Sequence, residues 1–170
     1  MSLNLFILRH AIAVESGAPG FKDEERPLTK EGRERMIEAV HGMKRAGWEF
    51  DALLSSPLVR AWQTAELVKA YLPFRGKIET VEELLPGRSL KAMLQKLAKR
   101  SESNFLLVGH EPMLSQWIAQ ILGAGSQGDF RLKKGGLCHL SLERAEEFAA
   151  AELVAFIPPK ILRAMEKKAK

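Results

Sequence analysis

Six short apolar runs and four stretches of helical periodicity divide this chain. Leu3–Leu8, Asp51–Ser55, Lys77–Val81, Asn104–Val108, Leu137–Leu142 and Leu153–Ile157 are brief, rich in apolar or β-branched residues and bounded by polar or turn-forming positions, so each predicts a strand. Between them the apolar spacing changes to about 3.6 residues. Met36, Ile37, Val40 and Met43 form one helical stripe, with Thr29 placed to cap it. Leu58, Ala61, Trp62, Ala65, Val68 and Leu72 form a second, opened by Ser56 as cap and Pro57 as first helical residue. Leu90, Met93, Leu94 and Leu97 form a third after Ser89. Met113, Leu114, Trp117, Ile118, Ile121 and Leu122 form a fourth, with Pro112 near its start.

Strands alternating with helices predict an α/β fold: a three-layer α/β/α sandwich whose central sheet is mostly parallel and covered on both faces. The last two strands leave no room for a crossover helix. Residues 143–152 predict a hairpin connection and one antiparallel pair at the C-terminal end. A length of 170 residues suits one domain spanning 1–170 and is short for two. Gly123-Ala124-Gly125-Ser126-Gln127-Gly128 matches the glycine spacing of dinucleotide sites. It follows a helix and opens none, so it predicts only a loop.

Composition narrows the class. With 46% hydrophobic and 28% charged residues, the chain is an ordinary globular protein, and no apolar run approaches a membrane span. The Leu3–Leu8 run is too short for a signal-peptide core and has no basic region before it, so a cytoplasmic location is expected. A single cysteine, Cys138, leaves no internal disulfide framework and no cysteine-rich metal site. The formal charge of +5 is concentrated in residues 160–170, where Lys160, Arg163, Lys167, Lys168 and Lys170 face only Glu166. This segment reads as a solvated basic tail. No aromatic-basic interleaving supports nucleic-acid binding.

The chemistry gathers at strand ends. The first strand runs into Arg9-His10, the fourth into Gly109-His110-Glu111-Pro112, and the second into Ser55-Ser56-Pro57-Leu58-Val59-Arg60. In open α/β sheets ligands collect at the carboxyl ends of strands. Arg60 falls in the first turn of a helix, where it opposes the dipole unless an anion sits there, and its forked donors match phosphate oxygens. His41 and His139 lie in a helix and a strand without such company and read as structural. Ser55 and Ser56 lack a nucleophile elbow and read as capping residues. Arg131, Lys133 and Lys134 precede the fifth strand, either flanking the pocket or forming a solvated loop. Trp48, Trp62 and Trp117 read as packing residues, with Trp62 able to reach the rim.

Arg9-His10, the Ser-Ser-Pro-Leu-Val-Arg-Ala-Trp-Gln-Thr-Ala segment at 55–65 and Gly109-His110 together resemble the histidine phosphatase superfamily, with its phosphoglycerate mutase-like fold. Arg26-Pro27-Leu28-Thr29-Lys30-Glu31-Gly32 and Glu83-Leu84-Leu85-Pro86-Gly87 resemble, more narrowly, phosphohistidine phosphatases of the SixA type. The resemblance implies that His10 attacks phosphorus and is transiently phosphorylated, with Arg9, Arg60 and a protonated His110 holding the phosphoryl oxygens. It implies no cofactor and no metal. Larger members add an acidic proton donor. Glu83 is the first candidate here, with Glu82 and Asp23 as alternatives, although a P–N bond breaks easily enough to need no strong acid.

The expected substrate is a phosphohistidine on a histidine-phosphotransfer or phosphotransferase protein. Two alternatives stand beside it: a phosphatase for small phosphate esters, and a non-catalytic module that binds phosphoproteins. No nucleic-acid or membrane partner is expected.

Overall fold

The computed structural model describes residues 2–124, 130–143 and 150–166. The elements run β1 (Ser2–Arg9), α1 (Lys30–Arg45), β2 (Ala52–Ser55), α2 (Val59–Tyr71), β3 (Ile78–Thr80), α3 (Leu90–Ala98), β4 (Asn104–Gly109), α4 (Met113–Ile121), β5 (Leu137–Glu143), β6 (Ala151–Ile157) and α5 (Pro159–Glu166). Short 3-10 turns at Asp23–Glu25 and Glu82–Leu84 lie in the connections. All six strands form one sheet in the order β3-β2-β4-β1-β5-β6.

Alternation along β1 explains the layers. Leu5 and Ile7 point to one face, where Phe105, Leu107, Met93, Leu114 and Trp117 close a core beneath α3 and α4. Phe6 and Leu8 point to the other, against Met36, Val40 and Met43 of α1 and Ala61, Ala65 and Val68 of α2. A strand buried on both faces reads as an unbroken apolar run, and Leu5-Phe6-Ile7-Leu8 is one. Thr29 caps α1, its side chain accepting from Gly32 N–H at 2.9 Å.

Three details depart from the sequence reading. The sheet has two antiparallel pairings instead of one, because β5 inserts between β1 and β6 and runs against both. Helix α2 starts at Val59 with Leu58 at its cap position, so Ser56 is not the cap. Residues 159–166 are not a loose tail: they form α5, whose Leu162 is fully buried beside α1. Periodicity could not find so short a helix among charged residues. Gly42 makes the packing possible, since a Cβ there would stand 2.0 Å from the Leu162 carbonyl oxygen. The hairpin connection at 144–149, the glycine-rich stretch at 125–129 and tail residues 167–170 lie outside the described residues. No described helix is long and apolar enough to cross a membrane.

Candidate active site

Strand register brings the site together. Parallel pairing sets Arg9 opposite Gly109 and Ser55 opposite Val108, so the residues just beyond β1, β2 and β4 emerge side by side. The backbone continues the pattern for one more step: His10 N–H donates to Gly109 O at 3.1 Å and Ser56 N–H to Val108 O at 3.0 Å. His10 and His110, a hundred residues apart in sequence, thus have ring centroids 5.2 Å apart.

His10, Arg60 and His110 are buried, Arg9 is half-buried, and each is held by a hydrogen bond. His10 is 6% exposed, and its Nδ1 lies 2.7 Å from Ala11 O. A carbonyl only accepts, so Nδ1 carries the proton and the Nε2 lone pair is free. His110 is 2% exposed, with Nε2 at 2.8 Å from Ser56 Oγ. That oxygen also accepts from Leu58 N–H, which leaves its own hydrogen for His110 Nε2 and favours the ring proton on Nδ1. Arg60, 4% exposed, donates from one amino group to Asp23 O at 2.8 Å. Arg9 donates to Leu132 O at 2.8 Å.

Three nitrogens remain unsatisfied. Among the described residues, the buried side-chain polar atoms without a hydrogen-bond partner are Arg9 Nε, Arg60 Nε and His110 Nδ1. Unpaired buried donors are uncommon and call for a reason. These three belong to the residues expected to hold phosphate, and an oxyanion is the kind of partner such donors take. Electrostatics agree. Burial, followed by the neighbouring His110, Arg60 and Arg9 charges, pushes His10 down to about 3 despite its Ala11 hydrogen bond. Burial and then Arg60 push His110 to about 3 as well. Burial, more than the Arg60 charge and against the opposing Asp23 charge, thus holds His110 neutral in the folded protein, where the resemblance implied a protonated ring.

A model of the histidine phosphatase superfamily (branch 1) matches residues 5–86. Phosphohistidine phosphatase SixA of Escherichia coli K12 is 30% identical over 122 residues, covering 70% of this chain and 74% of that protein. The chain belongs to the histidine phosphatase superfamily. An uncharacterised protein of Picosynechococcus sp. is 32% identical over 165 residues, covering 94% of this chain and 99% of that one. A solved structure of the protein histidine phosphatase SixA complexed with tungstate superposes with a TM-score of 0.80 at 24% identity, covering 94% of this chain and 99% of that one. The expected phosphoglycerate mutase-like architecture is the one found. As a histidine phosphatase superfamily member, the chain is a phosphatase.

The candidate proton donors fall elsewhere. Glu83 lies in the second 3-10 turn, paired with Lys96 Nζ at 3.1 Å on α3. Burial would raise its carboxyl, but hydrogen bonds from its own backbone and from Lys96, with the Lys96 charge, carry it below the usual range. It borders a hollow with Glu79, Lys96 and Arg100, away from both imidazoles. A carboxylate so paired is a poor acid. Glu82 is largely solvent-exposed and lies 3.9 Å from Arg88. Asp23 does reach the site, at 3.4 Å from Arg60. Burial raises it, yet the Ser16 hydrogen bond and the Arg60 and Arg26 charges lower it overall, so it is ionised. Trp62 faces a shallow hollow with Glu66 and Lys69, not the histidines.

Several supporting residues were not read from sequence. Thr64 accepts from Ala11 N–H at 3.0 Å and donates to Arg60 O at 2.7 Å. Gln63 accepts from Leu28 N–H at 2.8 Å. Together they fasten the loop after His10 to α2, which explains the Gln-Thr that follows Arg60. Arg26 donates to Val14 O at 2.6 Å and pairs with Asp23 at 2.8 Å. Glu111 accepts from Ser115 Oγ at 2.7 Å, Ser115 Oγ accepts from Leu132 N–H at 3.3 Å, and Leu132 O holds Arg9. Burial raises the Glu111 carboxyl, opposed by Ser115 and Arg9. Its signal was visible in Gly109-His110-Glu111-Pro112, but only the fold connects it to Arg9.

Proposed function

We propose that this chain hydrolyses phosphohistidine on a protein through a covalent phospho-His10 intermediate. The observation that carries the reading is the set of three unpartnered buried nitrogens, on Arg9, Arg60 and His110, residues whose charges bear on His10, whose own Nε2 lone pair is free. A phosphoryl group offers three oxygens to those donors and its phosphorus to that lone pair. The tungstate named for the SixA structure is an oxyanion of the same shape, and the SixA likeness supports phosphohistidine as the substrate class.

In the first step His10 Nε2 forms a bond to phosphorus as the substrate P–N bond breaks. The departing imidazole keeps the bonding pair and takes a proton from water. In the second, water attacks phospho-His10; phosphate leaves with the water's oxygen and one of its protons, the other neutralising the hydroxide left by the first step, while Nε2 regains its lone pair. Arg9, Arg60 and His110 bear on the oxygens throughout. An imidazole leaving group fits a site in which Glu83 and Glu82 stand aside and Asp23 is ionised. A small-ester phosphatase would need that acid more.

The test is a trap. Brief exposure to a phosphohistidine peptide labelled at phosphorus should leave acid-labile, base-stable label on the protein, absent in His10→Ala. Turnover of an aryl phosphate exceeding that of phosphohistidine would favour the small-ester alternative. Binding without turnover of either would leave a phosphoprotein-binding module.

A further inference from the structure

Beside the phosphate site lies a second concavity of about 420 Å³, between α1, the start of α5 and the loop before β5. Its size falls in the range of ligand pockets, roughly 300–1,000 Å³. Arg9, Arg35, Lys133, Lys134 and Arg163 all line it, over a floor that includes Met36, and no carboxylate or aromatic ring lines it among the described residues. Arg35 is paired with Glu31 and Arg163 with Glu38. Lys133 and Lys134 are exposed and have no ionic partner among the described residues.

The loop that carries the two lysines is fastened to the nucleophile's own backbone. Gly135 N–H lies 3.1 Å from Arg9 O and 3.2 Å from His10 O, and Arg9 N–H donates to Gly136 O at 3.2 Å. Gly135 holds φ at +77°, a conformation that a side chain resists, so the turn presents Lys133 and Lys134 at a fixed place relative to His10. Arg9 belongs to both the phosphate site and the groove.

We infer that this groove docks an acidic segment of the phosphohistidine-bearing protein while its phosphohistidine enters at His10. The inference rests on the phosphohistidine reading above. Charge complementarity selects the occupant: unneutralised cations over a partly apolar floor suit Asp and Glu side chains on a polypeptide. With no aromatic side chain on which bases could stack, the groove is a poor nucleic-acid platform.

Two synthetic phosphohistidine peptides decide the matter, one with Asp and Glu flanking the phosphohistidine and one with Asn and Gln in their places. The wild type should turn over the acidic peptide with a kcat/KM higher by about tenfold at low salt, chiefly through KM, and 0.5 M salt should erase the difference as a Debye length of a few ångströms screens it. Lys133→Glu/Lys134→Glu should lose that preference yet keep its kcat/KM on the neutral peptide. An unchanged preference in the double variant overturns the docking site. So does an equal loss on both peptides, or inhibition by an oligodeoxynucleotide at lower concentration than by the unphosphorylated acidic peptide. Failure to hydrolyse either peptide would instead overturn the phosphohistidine reading itself.

Discussion

His10 and His110 meet the solvent pH through their burial. Both are held at about 3, well under the ordinary value of 6.5, so the folded protein keeps two neutral imidazoles through the whole physiological range. Above pH 6.5 neither folded nor unfolded chain protonates them and their contribution is constant. Below 6.5 the unfolded chain takes up protons that the folded one refuses, so stability declines until pH nears 3, by about 1.4 kcal/mol per unit for each imidazole. Urea midpoints at pH 7.5 and 4.5 should therefore differ more in the wild type than in His10→Asn. Arg60→Ala removes a preorganised donor and should lower kcat by about 100–1000-fold. Glu83→Gln should leave kcat essentially unchanged, because its lost Lys96 pair is a partly exposed one worth at most about 1 kcal/mol. A large kcat loss in Glu83→Gln would return it to the chemistry.

Among the elements, α5 is the one that pattern reading missed. Eight residues carrying Lys160, Arg163 and Glu166 bury chiefly Leu162, and a single apolar anchor leaves no periodicity to count. The other four helices showed whole stripes, and five of the six strands were legible as apolar runs, with β3 marked only by the β-branched Ile78, Thr80 and Val81. The reversed β5 was half legible: its hairpin with β6 followed from loop length, whereas its pairing with β1 is a long-range choice that local sequence does not encode. Among site residues, Arg9, His10, Arg60 and His110 were readable as motifs at strand ends. Ser56, Thr64 and Glu111 act through partners distant in sequence, and no spacing rule links Thr64 to Ala11. The α1–α5 contact offers a test by sign. Gly to Ala inside a helix normally stabilises by up to about 1 kcal/mol. Gly42→Ala should instead destabilise by about 1–3 kcal/mol in urea unfolding, since its Cβ must displace the Leu162 carbonyl.

For the whole molecule, the three unpartnered nitrogens among the described residues need an acceptor, and an oxyanion should bind the folded state alone. Tungstate at a hundred times its Kd should add about 2.7 kcal/mol of stability, read as a rise in Tm that Arg60→Ala abolishes. The central position of β1 has a further consequence, for the order in which the chain is made. β1 leaves the ribosome first, yet its neighbours are β4 and β5, and Asn4 donates to the side chain of Asn104 at 2.9 Å. Until residues 104–109 and then 137–143 emerge, this apolar strand has both edges open, the condition in which strands capture the wrong partners. On the proposed mechanism a nascent chain should show no phosphatase activity before β4 is out, because His110 does not yet exist beside His10. Chains ending just before β4 should therefore misassociate more readily than chains that include it, which the solubility of the two truncations would show.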